Sequence, residues 1–102
     1  MVEGGKIDRV VWFGKARKSY RNIYLYISNK FGIRHAVEFK SRVSDTIIKL
    51  TVHPYLGRKE YNDIRSMSVT KHTRIFYSIK DNTLEIILVN DGRKPVNLSD
   101  LD

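Results

Sequence analysis

Cysteine is absent from the 102 residues. That excludes a disulfide framework and a thiolate zinc site, and it fits a reducing compartment, so a cytoplasmic location is expected. Proline is scarce, with two residues, and the six glycines gather into no linker. No repeat or low-complexity tract divides the chain. One domain over residues 1–102 follows, large enough to bury roughly two thirds of its unfolded surface without a staple. Long apolar runs are missing as well: stretches such as residues 86–89 (IILV) fall far short of the roughly 20 residues of a membrane span. The polar residues 1–6 lack the apolar core of a signal peptide. No membrane partner is therefore expected.

Acidic residues are also in deficit. Nineteen Lys and Arg face eleven Asp and Glu, for a formal charge of +8, and the sequence pI is near 9.9. Such a surplus on a small domain attracts polyanions, whether nucleic acid, an anionic membrane or an acidic protein. The membrane is the weakest of these, since no helix here joins a basic face to a broad apolar one. Solubility alone is the plainest alternative explanation for the charge.

Residues 7–13 (IDRVVWF) are β-branched and aromatic, as a strand requires. From Lys15 the period becomes helical, with Ala16, Tyr20, Ile23, Ile27 and Phe31 on one side and Lys15, Arg17, Lys18 and Arg21 on the other. Gly32 supplies a left-handed stop. A second helix carries Ala36, Phe39, Val43, Ile47 and Leu50 and ends by Pro54. The short joint predicts an antiparallel helical hairpin, each helix with a single apolar stripe. Residues 54–63 (PYLGRKEYND) read as a loop. Residues 64–70, 74–80 and 83–90 then alternate between polar turns as an antiparallel meander. The expected fold is α+β, ordered β-α-α-β-β-β, with the helical hairpin on one face of an antiparallel sheet and residues 91–102 an irregular tail.

That arrangement leaves the other sheet face open. Alternation puts Ile75, Tyr77 and Ile79 toward the core and Arg74, Phe76 and Ser78 on the vacant side. An arginine beside an aromatic there suits a phosphate and a stacked base. The bland alternative is that the tail covers Phe76 and Arg74 is merely solvated. Arg65 and Lys71 share parity with the core residues Met67 and Val69, so they reach the open side only from strand ends.

Several ordered motifs resemble the RelE/ParE toxin superfamily over essentially the whole chain. Trp12 ends the first strand and Ala16 opens the first helix. Ala36, Phe39, Ile47 and Leu50 mark the second, and Pro54-Tyr55-Leu56-Gly57-Arg58 forms a Pro-x-x-Gly-Arg signature. Arg65 opens a strand, residues 74–77 read Arg-Ile-Phe-Tyr, and Asp91-Gly92-Arg93 ends the last strand with Pro95 close behind. The resemblance implies a cytoplasmic toxin, with no cofactor, that is neutralised by a cognate acidic and partly disordered antitoxin.

The superfamily contains two activities. ParE-like members inhibit DNA gyrase, whereas RelE-like members cleave messenger RNA on the ribosome. Metal-free cleavage needs a base for the 2′-hydroxyl, an acid for the leaving oxygen and cations for the phosphate. Arg65, Lys71, Arg74 and Arg93 resemble the cationic positions, with Arg58 and Phe76 as further target-binding candidates. RelE-like nucleases generally place a tyrosine or histidine near the C-terminus, and this tail (GRKPVNLSDLD) has neither. His72, between Lys71 and Arg74, is the remaining acid–base candidate; a turn histidine is otherwise simply solvated. His35 and His53 flank the second helix, and Glu60 and Asp63 read as ordinary loop carboxylates. The histidines are too scattered for a metal site. Gly57-Arg58 and Asp91-Gly92-Arg93 read more like ParE than RelE. A gyrase-blocking toxin is therefore the leading expectation, a nuclease acting through Arg74, Arg93 and His72 the second, and a small nucleic-acid-binding module the third.

Overall fold

The structure, a computed structural model, describes residues 7–101; the polar segment 1–6 and Asp102 lie outside them. Strand β1, Arg9–Trp12, leads into helix α1, Gly14–Phe31, and helix α2, Ile33–Val52. The joint is Gly32 alone, at φ +99°, a backbone region that a Cβ disfavours. Its amide caps α1 by donating to the Ser28 carbonyl. Strands β2, Arg58–Tyr61, β3, Ile64–Ser68, β4, Thr73–Lys80, and β5, Thr83–Asp91, follow. They make one five-stranded sheet of order β1-β5-β4-β3-β2.

The α+β class and the helix-on-sheet layering are as expected, with two differences. The expected loop 54–63 holds β2, a polar edge strand paired antiparallel to β3. The sheet is also mixed, because β1 runs parallel to β5. The helical hairpin carries the chain from β1 to β2 at the opposite edge, and the antiparallel strands β2 to β5 return it to the side of β1, a long connection of the kind that parallel neighbours need.

One sheet face and the hairpin enclose the main core. Ile75, Tyr77, Leu84, Ile86 and Val89 pack against Ala16, Phe39, Val43 and Leu50, with Met67, Val69 and Ile79 partly buried at its margin. Tyr20 and Ile23 close the core from α1, whereas Phe31, expected on that stripe, lies 55% exposed past its end. Helix α2 departs further from the single expected stripe. Opposite its buried side, Ile33, Val37, Ile48 and Val52 form a second apolar row facing solvent.

The other sheet face is not open. Phe76 pairs with Leu88 while Tyr77 pairs with Ile86, so Ile87 is an extra residue in β5. This bulge turns Ile87 and Leu88 to the same side as Phe76 and Ile64. Val96, Leu98 and Leu101 of the tail pack over them, the last two within a short 3-10 turn, Leu98–Leu101. The tail is thus a second, smaller core layer rather than an irregular end.

Candidate target-binding site

The sequence-derived site residues fall into three places. On the tail-covered face, Arg74 Nε donates to Ser66 Oγ at 3.1 Å, and Ser66 Oγ donates to Glu60 Oε2. Arg58 Nε donates to the same Glu60 oxygen at 3.0 Å. Burial pushes the Glu60 carboxyl up, but the hydrogen bonds from Ser66 and Arg58, with the charges of Arg58 and Arg74, hold it below the usual carboxylate range. Glu60 is therefore an ionised counter-charge that links β2, β3 and β4. Arg58 keeps an exposed flank at the sheet edge. Arg74 is half-buried, beside an Asn90 amide that donates to the Lys94 carbonyl at the root of the tail. Phe76 is 6% exposed beneath that tail. Its expected role as an open stacking platform is corrected accordingly: a face that gathers Ile64, Phe76, Ile87 and Leu88 is too apolar to stay in water.

Arg65 holds a loop. Its guanidinium donates to the carbonyls of Tyr55 and Gly57, at 3.2 and 2.9 Å, and lies over the Tyr55 ring. The Tyr77 hydroxyl completes the clamp by donating to the Pro54 carbonyl and accepting from the Gly57 amide. Burial raises the Tyr77 phenol above its ordinary value, against the opposing Gly57 hydrogen bond and Arg65 charge. The Pro-x-x-Gly-Arg segment is thus moulded onto a core tyrosine.

Lys71, His72 and Arg93 meet on the helix side of the sheet, around a groove of about 440 Å³ between the hairpin tip and the β3–β4 turn. The turn is pinned to the end of β5, because the Gly92 amide donates to the His72 carbonyl. Arg93 makes a two-pronged pair with Asp91, at 3.1 and 2.8 Å, and its guanidinium lies 5.4 Å from the Tyr26 ring centre. Lys30 lies 5.7 Å from that ring. Hydrogen bonding to Arg93, and then to Lys30, lowers the Tyr26 phenol. The hydrogen bond from Arg93 likewise lowers Asp91, and its reciprocal raises the guanidinium. Phe31 and Phe39 give the groove an apolar wall, and His35 joins His72 on its rim.

Arg74 and Arg93, expected together, are therefore on opposite sides of the sheet. Residue parity carries the reason: Arg74 shares the side of Phe76, while Asp91 shares the side of Val89. Sequence reasoning missed Tyr26, which the helical period of α1 places one position off the core stripe. It also missed Glu60 and Ser66, whose link spans two strand pairings. Among the described residues no cluster of three His, Asp or Glu could hold a metal ion. No helix there is long and apolar enough to cross a membrane.

Comparison with known proteins bears on this geometry. The family model described as the ParE toxin of the type II toxin–antitoxin system, parDE, matches residues 10–95. A search of curated proteins finds no match. Among solved structures, a chain of the chromosomal ParDE toxin–antitoxin system from P. aeruginosa has a TM-score of 0.73 at 15% identity, over 86% of this chain and 98% of that one. That likeness is one of fold. The family match spans β1 to the root of the tail and includes the loop clamp, the Glu60 network and the Arg93 groove. The chain belongs to the ParE toxin family of type II toxin–antitoxin systems, in which a toxin is paired with an antitoxin.

Proposed function

We propose that this ParE-family toxin acts by binding rather than by cutting RNA, that its target is DNA gyrase, and that an acidic antitoxin holds it in check. The carrying observation is the state of Arg74. A metal-free nuclease needs that cation beside an acid and a base. Here it is tied to Ser66 under a tail without tyrosine or histidine, and His72 lies across the sheet. Tyr61, toward the same face, pairs with Ile64, four residues along β3 from the Ser68 that pairs with Arg74, and two strands away.

The groove of Lys71, His72 and Arg93 is the surface we propose for the target. It combines cations with an aromatic wall, and anchors of that kind dominate protein interfaces. Arg58 extends the cationic surface at the sheet edge, while Arg65 and Phe76 serve the fold. Purified chain in molar excess is expected to abolish supercoiling by purified gyrase. Lys71→Ala with Arg93→Ala should restore supercoiling without unfolding the protein. Gyrase left fully active by excess toxin, with messenger RNA cleaved on ribosomes instead, would sink the proposal.

A further inference from the structure

The solvent-facing row on α2 carries an internal symmetry. Ile33, Val37, Ser41, Ser44, Ile48 and Val52 are spaced by four, four, three, four and four residues. At about 100° per residue they fall within an arc of about 100°. All six are exposed, the four aliphatic ones by 61, 53, 61 and 65%. Its spacing and its order of aliphatic and serine positions are the same from either end about the midpoint between Arg42 and Val43. A two-fold interface sets residue i against j and j against i, so this spacing lets every aliphatic residue of the row meet an aliphatic one at both ends.

We infer that α2 is a self-association surface, on which two copies of this chain pair antiparallel about that midpoint. Val37 then faces Ile48 of the second copy, Ile33 faces Val52, and Ser41 faces Ser44. The small serines lie at the crossing, where the axes approach most closely. The flank of the row supports the same register. Glu38, Arg42, Asp45 and Lys49 are exposed there, and none forms an ion pair with another described residue. Antiparallel pairing sets Glu38 within one helical turn of Lys49 of the second copy, and Arg42 likewise of Asp45, twice each by symmetry. Parallel pairing would set each charge against its own kind. The charge order thus selects both a second copy and its direction.

A single pair of helices of roughly 30 Å makes a small interface, so the association is reversible, in the range of about 10–100 µM. The test is sedimentation velocity of the purified full-length chain, free of antitoxin, from about 5 to 500 µM. The mass is expected to rise with concentration from 11.9 kDa to twice that value. Val37→Glu alone and Ile48→Lys alone each bury a charge against an aliphatic group and should weaken the dimer at least about tenfold. An equimolar mixture of the two variants should dimerise again, since the new opposite charges meet at one end and the native Val37–Ile48 contact remains at the other. Both positions are exposed, and unchanged circular dichroism verifies the fold. A monomer at every concentration, a dimer indifferent to both substitutions, or a mixture that stays monomeric would overturn the proposal. So would a monomer whose stripe is protected only when an antitoxin is added.

Discussion

At Gly57 an added Cβ would run into the Tyr77 hydroxyl and ring and the Ser66 carbonyl. The glycine is there so that the loop backbone can reach a phenol 20 residues further on. Tyr77 in turn is fully buried, and among the described residues its hydroxyl is satisfied by that loop, through Gly57 and Pro54. Each residue therefore explains the other. Gly57→Ala should cost about 1–3 kcal/mol through overpacking. Tyr77→Phe should cost about 1–3 kcal/mol, because the Gly57 amide and Pro54 carbonyl lose their partner while buried. The double substitution should cost less than the sum, since removing the hydroxyl relieves part of the alanine clash. Urea midpoints of the four proteins check this, and strict additivity would refute the coupling. The spacing Pro-x-x-Gly-Arg is visible in the sequence, but the tyrosine that makes it necessary is not.

Elements were legible where a periodic apolar face announces them. Both helices, β3, β4 and β5 show such faces, and the structure places them close to where the pattern puts them. Strand β2 does not, because Arg58-Lys59-Glu60-Tyr61 is an edge strand whose identity comes from pairing with β3 rather than from burial. The parallel pairing of β1 with β5 is a long-range choice on which local alternation is silent. Tail burial entered only as the alternative for Phe76, for a related reason. Val96, Leu98 and Leu101 are single apolar residues among polar ones, and they gain meaning only beside the β5 bulge. At this scale Phe76 decides between two roles. Phe76→Ala should lower stability by about 3–5 kcal/mol, as for a core phenylalanine. Deleting residues 94–102 should expose the same patch, lower the urea midpoint and induce binding of a hydrophobic dye. A truncated protein with unchanged midpoint and no dye binding would show that the tail is not part of the core.

For the whole molecule, the distribution of charge matters more than its sum. The +8 surplus is spread over both layers, with Lys15, Arg17, Lys18 and Arg21 exposed on α1, Arg58 at the sheet edge, and Lys71 and Arg93 at the groove. These cations are exposed, so they contribute little to folding, and they would act on encounter with an acidic partner. A field of this kind raises the association rate more than it slows dissociation, and salt screens it over a length of about 10 Å at 0.1 M. Association with a net-acidic antitoxin should therefore slow about tenfold or more between 50 and 500 mM salt, while dissociation changes by less than about threefold. Stopped-flow mixing across that range separates the two rates. An association rate indifferent to salt would mean that apolar surface alone guides the partner. In that case neutralising the α1 cations by Arg17→Gln, Lys18→Gln and Arg21→Gln would leave the rate unchanged, whereas steering by charge requires these substitutions to lower it and to flatten its dependence on salt.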